Sequence, residues 1–220
     1  MTEWLILWDN SGIILSGLWL TVWIFALSSA GAFLLGCLLV YGMEGGERLA
    51  YALRGGVNAM RALPFLVLAY LLYYGLPQLG LRLSAVTAGL LAMVIYHGAY
   101  FAEILRGARM VLPPGTVEAA KAYGFLPRTT FLRIVLPQLL LRTRPLIGNQ
   151  LIYALKDTSF LAIITVQELT AAANALQARY FIPTEAFVVV IALYWAITLC
   201  LELAVKKAGV FGTQRGFENV

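Results

Sequence analysis

Five apolar stretches in this sequence are long enough to cross a lipid bilayer. A helix needs about 20 apolar residues to cross the hydrocarbon core, and backbone that faces lipid must be helical to satisfy its hydrogen bonds. The pattern therefore predicts an all-α integral membrane protein with about five transmembrane helices, forming one domain over residues 1–220. The stretches run from about Ile13 to Tyr41, Gly55 to Leu76, Ser84 to Leu105, Pro145 to Val166 and Thr184 to Val205.

The composition agrees with a chain that faces lipid. Charged residues make up 12% of the 220 residues and hydrophobic residues 61%, whereas a soluble domain has roughly 25% charged residues. Cys37 and Cys200 both lie in apolar runs, which indicates small buried side chains rather than a disulfide or a metal pair. Trp4 and Trp8 precede the first run without any basic residue, so we expect an interfacial anchor and not a cleaved signal.

The distribution of basic residues predicts the orientation, because Lys and Arg accumulate in cytoplasmic loops. With the N-terminus outside and the C-terminus in the cytoplasm, 12 of the 16 basic residues face the cytoplasm. Two others, Arg82 and Arg179, lie outside, and two, Arg61 and Lys156, lie within spans. Topology thus explains the net charge of +5 without a nucleic-acid partner. The 12 residues are Arg48, Arg54, Arg106, Arg109, Lys121, Arg128, Arg133, Arg142, Arg144, Lys206, Lys207 and Arg215.

The longest loop, at about 106–144, is suited to contact another protein. Residues 113–115 are Pro-Pro-Gly and interrupt the preceding helix. Thr116 is placed to cap a short helix with Glu118 in its first turn, and Gly124 suits the end of that helix.

The alanines of this short helix, Ala119, Ala120 and Ala122, form a face with little bulk. Such a helix can enter a groove of a partner protein, or it can lie on the lipid headgroups as an amphipathic connector. A second short helix is predicted to begin at Pro127 and to end near Pro137.

Charged residues inside the spans are candidates for a substrate pathway, because burying them in lipid is costly. Lys156 lies about 16 Å into the fourth span, near the midplane. Asp157, Thr158 and Ser159 follow it, which indicates a broken helix that lines a cavity or a subunit interface. The alternative is that these residues only fix helix packing. Since adjacent residues on a helix do not face each other, Lys156 and Asp157 each need a separate partner.

The second span offers further candidates. Arg61 can anchor its helix structurally or line the pathway, and Pro64 predicts a kink. Asn58 and Tyr70 are additional pathway candidates.

The third span contains residues for which we expect structural roles. Glu103 and Arg106 have the spacing of an intrahelical ion pair. His97, the only histidine, is expected to bond a neighbouring helix and not a metal. The sequence has no nucleophile–base constellation, so no catalytic residue is predicted.

Several motifs resemble those of ABC importer permeases. Glu118-Ala119-Ala120, Gly124, Ile134 and Leu136-Pro137 match the spacing of the EAA signature of that family. Other stretches resemble its polar amino-acid branch, the histidine-permease type. They are GLWLT at 17–21, MRALP at 60–64, GAYFAEILRG at 98–107 and KDTS at 156–159. Departures are Ala62 in place of the usual glycine, Phe65 in place of leucine, and Pro114-Gly115-Thr116 before the EAA helix.

The resemblance implies an ABC type I importer permease fold and a function in transport. The chain would be the permease subunit of an ATP-driven importer of polar amino acids in the bacterial inner membrane. In such permeases the EAA helix sits in a cleft of a cytoplasmic ATPase, a role that falls here to Glu118, Ala119, Ala120 and Gly124.

The partners implied are a cytoplasmic ATPase dimer, a second permease subunit, identical or paralogous, and an extracytoplasmic solute-binding protein. This chain has no G-x-x-x-x-G-K-[ST] phosphate loop. We therefore expect no enzymatic activity and no cofactor in this chain, with ATP and magnesium on the ATPase. The alternatives are an ABC permease for another small solute, such as a quaternary amine or an opine, and a secondary carrier or membrane enzyme.

Overall fold

The computed structural model describes the backbone of residues 2–213 and the side chains of residues 3–207, and this part of the chain is helical without any strand. Arg215, one of the basic residues assigned to the cytoplasmic side, lies outside the described residues. Three helices are long and apolar enough to cross a membrane. They are α2 (Ser11–Met43), which follows the short α1 (Thr2–Asp9), α5 (Ala85–Met110) and α11 (Pro183–Thr213).

Two bent helix pairs also pass the test of length and hydropathy, and the total reaches the five predicted when each pair is counted as one span. The first pair consists of α3 (Glu47–Ala62) and α4 (Phe65–Tyr70), extended by a π turn (Leu71–Gly75) and a 3₁₀ turn (Leu76–Leu79). The second consists of α9 (Arg144–Asp157), extended by a 3₁₀ segment (Thr158–Ile164), and α10 (Leu169–Tyr180). Between α5 and α9 lie α6 (Gly115–Ala122), α7 (Pro127–Thr130), a π turn (Phe131–Val135) and α8 (Leu136–Arg142).

The first bent pair turns by 99° at the proline that predicted a kink. Leu63 is extended, with ψ of 144°, because the ring of a following proline disfavours the helical region. Pro64 is extended as well and precedes the first residue of α4. The predicted kink is confirmed, and it is a complete interruption between two helices.

The second bent pair turns by 46° after a change of helix type. The α-helix ends at Asp157 and continues as a 3₁₀ segment, so the predicted break in the regular helix at this point is confirmed. The chain then turns at Thr165, which has a left-handed φ of 68°. This second interruption was not predicted, because no glycine or proline marks it.

Close packing of α2 on α5 holds the centre of the bundle together. A methyl group added to Gly36 would lie 2.7 Å from Cβ of Phe101 and 3.0 Å from the backbone nitrogen of Ala102. Gly98 is equally close to the side chain of Leu35. Small residues allow membrane helices to approach to this distance, so α2 and α5 form the rigid part of the fold.

Two sequence expectations for the periphery are wrong. The helix after Pro127 continues through Pro137 to Arg142, because the preceding π turn replaces the regular hydrogen bonds that a proline would break. Cys37 is half-buried, but Cys200 is exposed on α11, a helix that has little buried surface.

Candidate coupling helix and intramembrane polar site

The segment that joins α5 to α9 contains α6, whose first turn is organised by a proline. The carbonyl of Pro114 accepts hydrogen bonds from the N–H groups of Val117 (2.9 Å) and Glu118 (3.0 Å). The φ of −65° that the proline ring fixes is already helical. Thr116, the predicted cap, is instead the second helical residue and no side chain caps α6. The prediction of a Thr116 cap is therefore wrong.

The end of α6 is fixed by Gly124. This residue has a φ of 75°, which costs a residue with a side chain about 1–2 kcal/mol. Its N–H group donates to the carbonyl of Lys121 (2.9 Å), and the N–H group of Phe125 donates to the carbonyl of Ala120 (3.0 Å). These two bonds form a Schellman motif. The prediction that Gly124 ends the helix is confirmed.

The four residues of the predicted coupling role differ in exposure. Glu118, Ala119 and Gly124 are exposed, whereas Ala120 is only 4% exposed. The methyl group of Ala120 is thus packed inside this chain and is not available to a partner in this conformation. Whether these residues contact an ATPase stays a prediction.

Aromatic and apolar side chains beside α6 were missed in the sequence analysis. Tyr123 is 84% exposed and Leu126 is 71% exposed, and Phe125 is also exposed. Exposed apolar side chains outside a bilayer are typical of protein interfaces. The signal in the sequence is an aromatic-Gly-aromatic-Leu stretch, at residues 123–126, directly after the short helix.

The candidate coupling helix is attached to the membrane helices through apolar contacts. Val117 packs against a buried cluster that includes Leu105 of α5 and Leu139 of α8. Beside it, an ion pair joins α5 to the end of α2: the guanidinium of Arg109 donates to both carboxylate oxygens of Glu44, at 2.7 and 3.1 Å. The helix α6 also contacts α7 and the π turn Phe131–Val135, which lead into α8.

Within the bundle, the predicted partner of His97 is found on a neighbouring span. His97 is almost completely buried on α5. Its Nδ1 lies 2.8 Å from the amide nitrogen of Gln150, which donates, so the neutral ring carries its proton on Nε2. That nitrogen lies 3.4 Å from a carboxylate oxygen of Asp157. The prediction that His97 bonds a neighbouring helix is confirmed.

Lys156 and Asp157 have different surroundings, as their adjacency requires. Lys156 is exposed, on a face of α9 that also exposes Asn149 and Tyr153, and no described side chain forms an ion pair with it. The hydroxyl of Ser159 donates to the Lys156 carbonyl (2.7 Å), where the α-helix becomes 3₁₀. This arrangement fits either a pathway role or a packing role, and the pathway role stays a prediction.

Arg61 is held at the end of α3 by residues of α5. Its Nη1 lies 3.5 Å from an oxygen of Glu103, and its guanidinium stacks over the Tyr100 ring at 5.5 Å. Glu103 also accepts hydrogen bonds from Arg106, at 2.6 and 2.8 Å. The predicted Glu103–Arg106 ion pair is confirmed, and Arg61 is a third member of it.

A continuous row of polar and aromatic groups on α5 connects the cluster of Arg61 and Glu103 with the pair of His97 and Asp157. The hydroxyls of Tyr96 and Tyr100 lie 3.3 Å apart, and the Tyr96 ring packs edge-on against His97. The row therefore leads from Arg61 through both tyrosines to His97 and Asp157. Sequence analysis missed Tyr96 and Tyr100, although spacings of four and three residues up to Glu103 place all three on one helix face.

Two candidates lie away from this row. Asn58 is exposed on α3. Tyr70 is exposed on α4 and stacks on Tyr74, with ring centroids 4.9 Å apart. The described chain thus brings Arg61 and Asp157 into one connected row but not Asn58, Tyr70 or Lys156.

A buried carboxylate at the second interruption was also missed. Glu168 is fully buried and accepts hydrogen bonds from the N–H groups of Thr170 and Ala171, both at 2.8 Å. The Tyr194 hydroxyl of α11 donates to the same carboxylate (2.9 Å). Glu168 therefore starts α10 and connects it to α11. The available signal was a lone carboxylate in the otherwise uncharged stretch 158–178.

Comparisons with known proteins agree with this architecture. The family model described as binding-protein-dependent transport system inner membrane component matches residues 32–207. The chain is 32% identical to the glutamine transport system permease protein GlnP of Escherichia coli (strain K12), over 93% of this chain and 95% of that protein. It is 29% identical to the probable glutamine ABC transporter permease protein GlnM of Bacillus subtilis (strain 168), over 91% of this chain and 94% of that protein.

Solved structures give the same result. A chain in the crystal structure of an amino acid ABC transporter with histidines superposes with a TM-score of 0.83 at 26% identity, over 93% of this chain and 96% of that chain. A chain of the MetNI methionine ABC transporter, in an inward-facing conformation, superposes with a TM-score of 0.68 at 18% identity, over 91% and 98%. The second similarity concerns the fold alone.

Proposed function

Because this chain belongs to the family of binding-protein-dependent transport system inner membrane components, we infer that it is the permease subunit of an ABC importer for polar amino acids. The main support is the 32% identity to a glutamine transport permease of Escherichia coli over nearly the whole of both chains. The similarity to a chain of an amino acid ABC transporter supports the same substrate class. We take glutamine as the first solute to test.

The coupling partner that we propose is a separate cytoplasmic ATPase dimer, which binds ATP and magnesium. Its cleft would receive the exposed surface of α6, with Glu118 and Ala119 on the helix and Gly124 at its end. Tyr123 and Leu126 would extend this contact, because both are largely exposed. This chain itself would hydrolyse nothing.

The proposed orientation places α6 in the cytoplasm. We place the N-terminus outside and the C-terminus in the cytoplasm of a bacterial inner membrane, since this arrangement puts most basic residues inside. Closure of the ATPase on ATP would push α6, and the packing of Val117 on the buried cluster that α5 and α8 share would carry the movement into the membrane.

The translocation pathway would form between this chain and a second permease subunit, identical or paralogous. Lys156 supports this proposal, because a charge exposed on a membrane-spanning helix needs water or a protein partner. Arg61 and Asp157 would line the pathway together with Asn58, Tyr70 and Ser159. An extracytoplasmic solute-binding protein would deliver the amino acid.

Uptake by the reconstituted complex tests the proposal. Vesicles that contain this chain, the ATPase and the binding protein should accumulate labelled glutamine or another polar amino acid only when ATP is supplied on the ATPase side. Accumulation driven by a proton or sodium gradient without ATP would support a secondary carrier. ATP-driven uptake of a quaternary amine or an opine, but of no amino acid, would support the other alternative.

A substitution on α6 tests whether coupling to ATP hydrolysis depends on the exposed surface of this helix. Ala119→Trp adds bulk to an exposed position, so we expect normal membrane insertion but loss of transport-coupled ATP hydrolysis. Ala120→Trp is less informative, because Ala120 is buried within this chain and the substitution would disrupt the fold. Ala196→Trp, at an exposed alanine of α11, is the matched control. Full ATPase stimulation in the Ala119 variant would contradict the proposal.

A further inference from the structure

An apolar groove on the surface of the bundle contains Arg128, which forms no ion pair with a side chain of residues 3–207. It has a volume of about 490 Å³ and lies between the last turns of α2 and the segment from α7 to α8. Leu34, Cys37 and Leu38 of α2 form one wall, and Leu132 and Leu136 form the other. Arg128 completes the lining, which includes no acidic residue. We call this feature the α2 groove.

The direction of the two walls places Arg128 at one end of the α2 groove. The Tyr41 ring packs on the Phe131 ring, with centroids 5.1 Å apart. The two walls run antiparallel, because α2 leads toward its C-terminal end while the segment from α7 to α8 leads away from that end. Arg128, three residues before Phe131, therefore lies at the level of the α2 terminus. Leu34 and Leu136 lie at the other end.

The α2 groove lies at the end of a helix that is long and apolar enough to cross a membrane. Leu34 lies nine residues before the last residue of α2, Met43, which corresponds to about 13 Å along the helix axis. The helix of 33 residues is about 50 Å long, against about 30 Å for the hydrocarbon core. The α2 groove therefore lies where α2 leaves the bilayer, at the level of the headgroups and the adjoining acyl chains.

We propose that the α2 groove binds an anionic phospholipid, with an acyl chain along its leucines and the phosphate at Arg128. Leu34 and Leu38 are more than half exposed, and no described side chain forms an ion pair with Arg128. Basic pockets between membrane helices on the cytoplasmic side select anionic headgroups. Placing the groove in the cytoplasmic leaflet rests on the orientation in the proposed function.

The site would connect the lipid to the coupling machinery. Arg128 follows the end of α6 by six residues and belongs to α7, which contacts α6. A lipid in the α2 groove would hold α7 against α2 and fix the base of the coupling segment. The ATPase is the less favoured occupant, because Leu34 and Leu38 belong to a helix that is long and apolar enough to cross a membrane.

Native mass spectrometry of the purified complex, exposed to equal amounts of phosphatidylglycerol and phosphatidylcholine, tests the proposal. The unmodified complex should retain phosphatidylglycerol in preference. Arg128→Gln should reduce this preference about fivefold, the effect of one basic residue at an anionic surface. Arg133→Gln is the matched control, because it removes the same charge from a nearby exposed position that does not line the α2 groove.

A second pair of variants tests the apolar part. Cys37→Trp fills the α2 groove without changing charge and should reduce retention of both lipids, whereas Cys200→Trp on α11 should not. Equal lipid retention in the Arg128 and Arg133 variants would overturn the proposal. Loss of the ATPase from the Arg128 variant with unchanged lipid would assign Arg128 to the ATPase, and a disulfide between two copies of Cys37 would assign the groove to a second copy. Lipid retention does not depend on transport, so a complex that retains lipid but takes up no amino acid would refute only the proposed function.

Discussion

Substitution of Gly124 tests how the end of the coupling helix is maintained. Gly124→Ala places a side chain at a φ of 75°, although nothing lies within 4 Å of the added methyl group. The cost is therefore conformational, about 1–2 kcal/mol, and it lowers the equilibrium constant between the ordered and frayed helix end by about 5–30-fold. The two Schellman hydrogen bonds would be lost together.

Two further variants isolate this cost. Gly124→Asn should retain most of the order, since asparagine tolerates the left-handed region. Gly115→Ala adds a methyl group into equally open space at the start of the same helix, where φ is not positive. Only a substitution that opposes the positive φ at the helix end should weaken coupling.

The measurement is ATP hydrolysis stimulated by loaded binding protein in vesicles, as a function of ATPase concentration. If the partner binds only the ordered helix end, its apparent affinity falls in proportion to the competent fraction. We expect Gly124→Ala to need more ATPase for half-maximal stimulation and Gly115→Ala to match the unmodified chain. Identical curves for the alanine variants at positions 124 and 115 would refute the argument.

Further substitutions test the packing, the polar row and the pathway residues. Gly36→Ala should destabilise the fold by about 1–3 kcal/mol through overpacking, whereas Gly107→Ala, in open space, should not. Thermal unfolding in detergent measures the stability of both variants. Equal stability of the two would contradict the close packing of α2 on α5. Glu103→Gln should cost about 1–2 kcal/mol in the same assay, because its two arginine partners lose their counter-ion. Lys156→Ala or Asp157→Ala should reduce uptake while assembly with the ATPase is retained, and unchanged uptake in both would leave these residues only a packing role.

The three continuous spans could be predicted because lipid imposes length and hydropathy on each one, whereas the two bent pairs extend beyond their predicted bounds. The interruption at Pro64 could also be predicted, since a proline acts on local backbone geometry. The interruption at Thr165 could not, because tertiary hydrogen bonds hold it. The Glu168 carboxylate caps α10 there and is itself bonded by Tyr194 of another span.

The two parts of the candidate site, α6 and the polar row on α5, could be predicted from the sequence to different extents. The short helix that ends at Gly124 could be predicted, because its end is defined by a local Schellman motif. The orientation of Ala120 toward its own chain depends on how α6 packs on the bundle, which no local pattern records. Tyr96 and Tyr100 were missed for a similar reason: their role appears only when Arg61 of α3 and Asp157 of α9 pack against α5.

The central claim is that α6 lies in the cytoplasm and is held by a separate ATPase. A single cysteine at Ala119, in a chain in which Cys37 and Cys200 are replaced by serine, tests it directly. The account predicts that a membrane-impermeant maleimide labels this cysteine only in inside-out vesicles, and that bound ATPase protects it and can be cross-linked to it. Labelling from the outside of intact cells, or full labelling in a transport-active complex with the ATPase bound, would contradict the account.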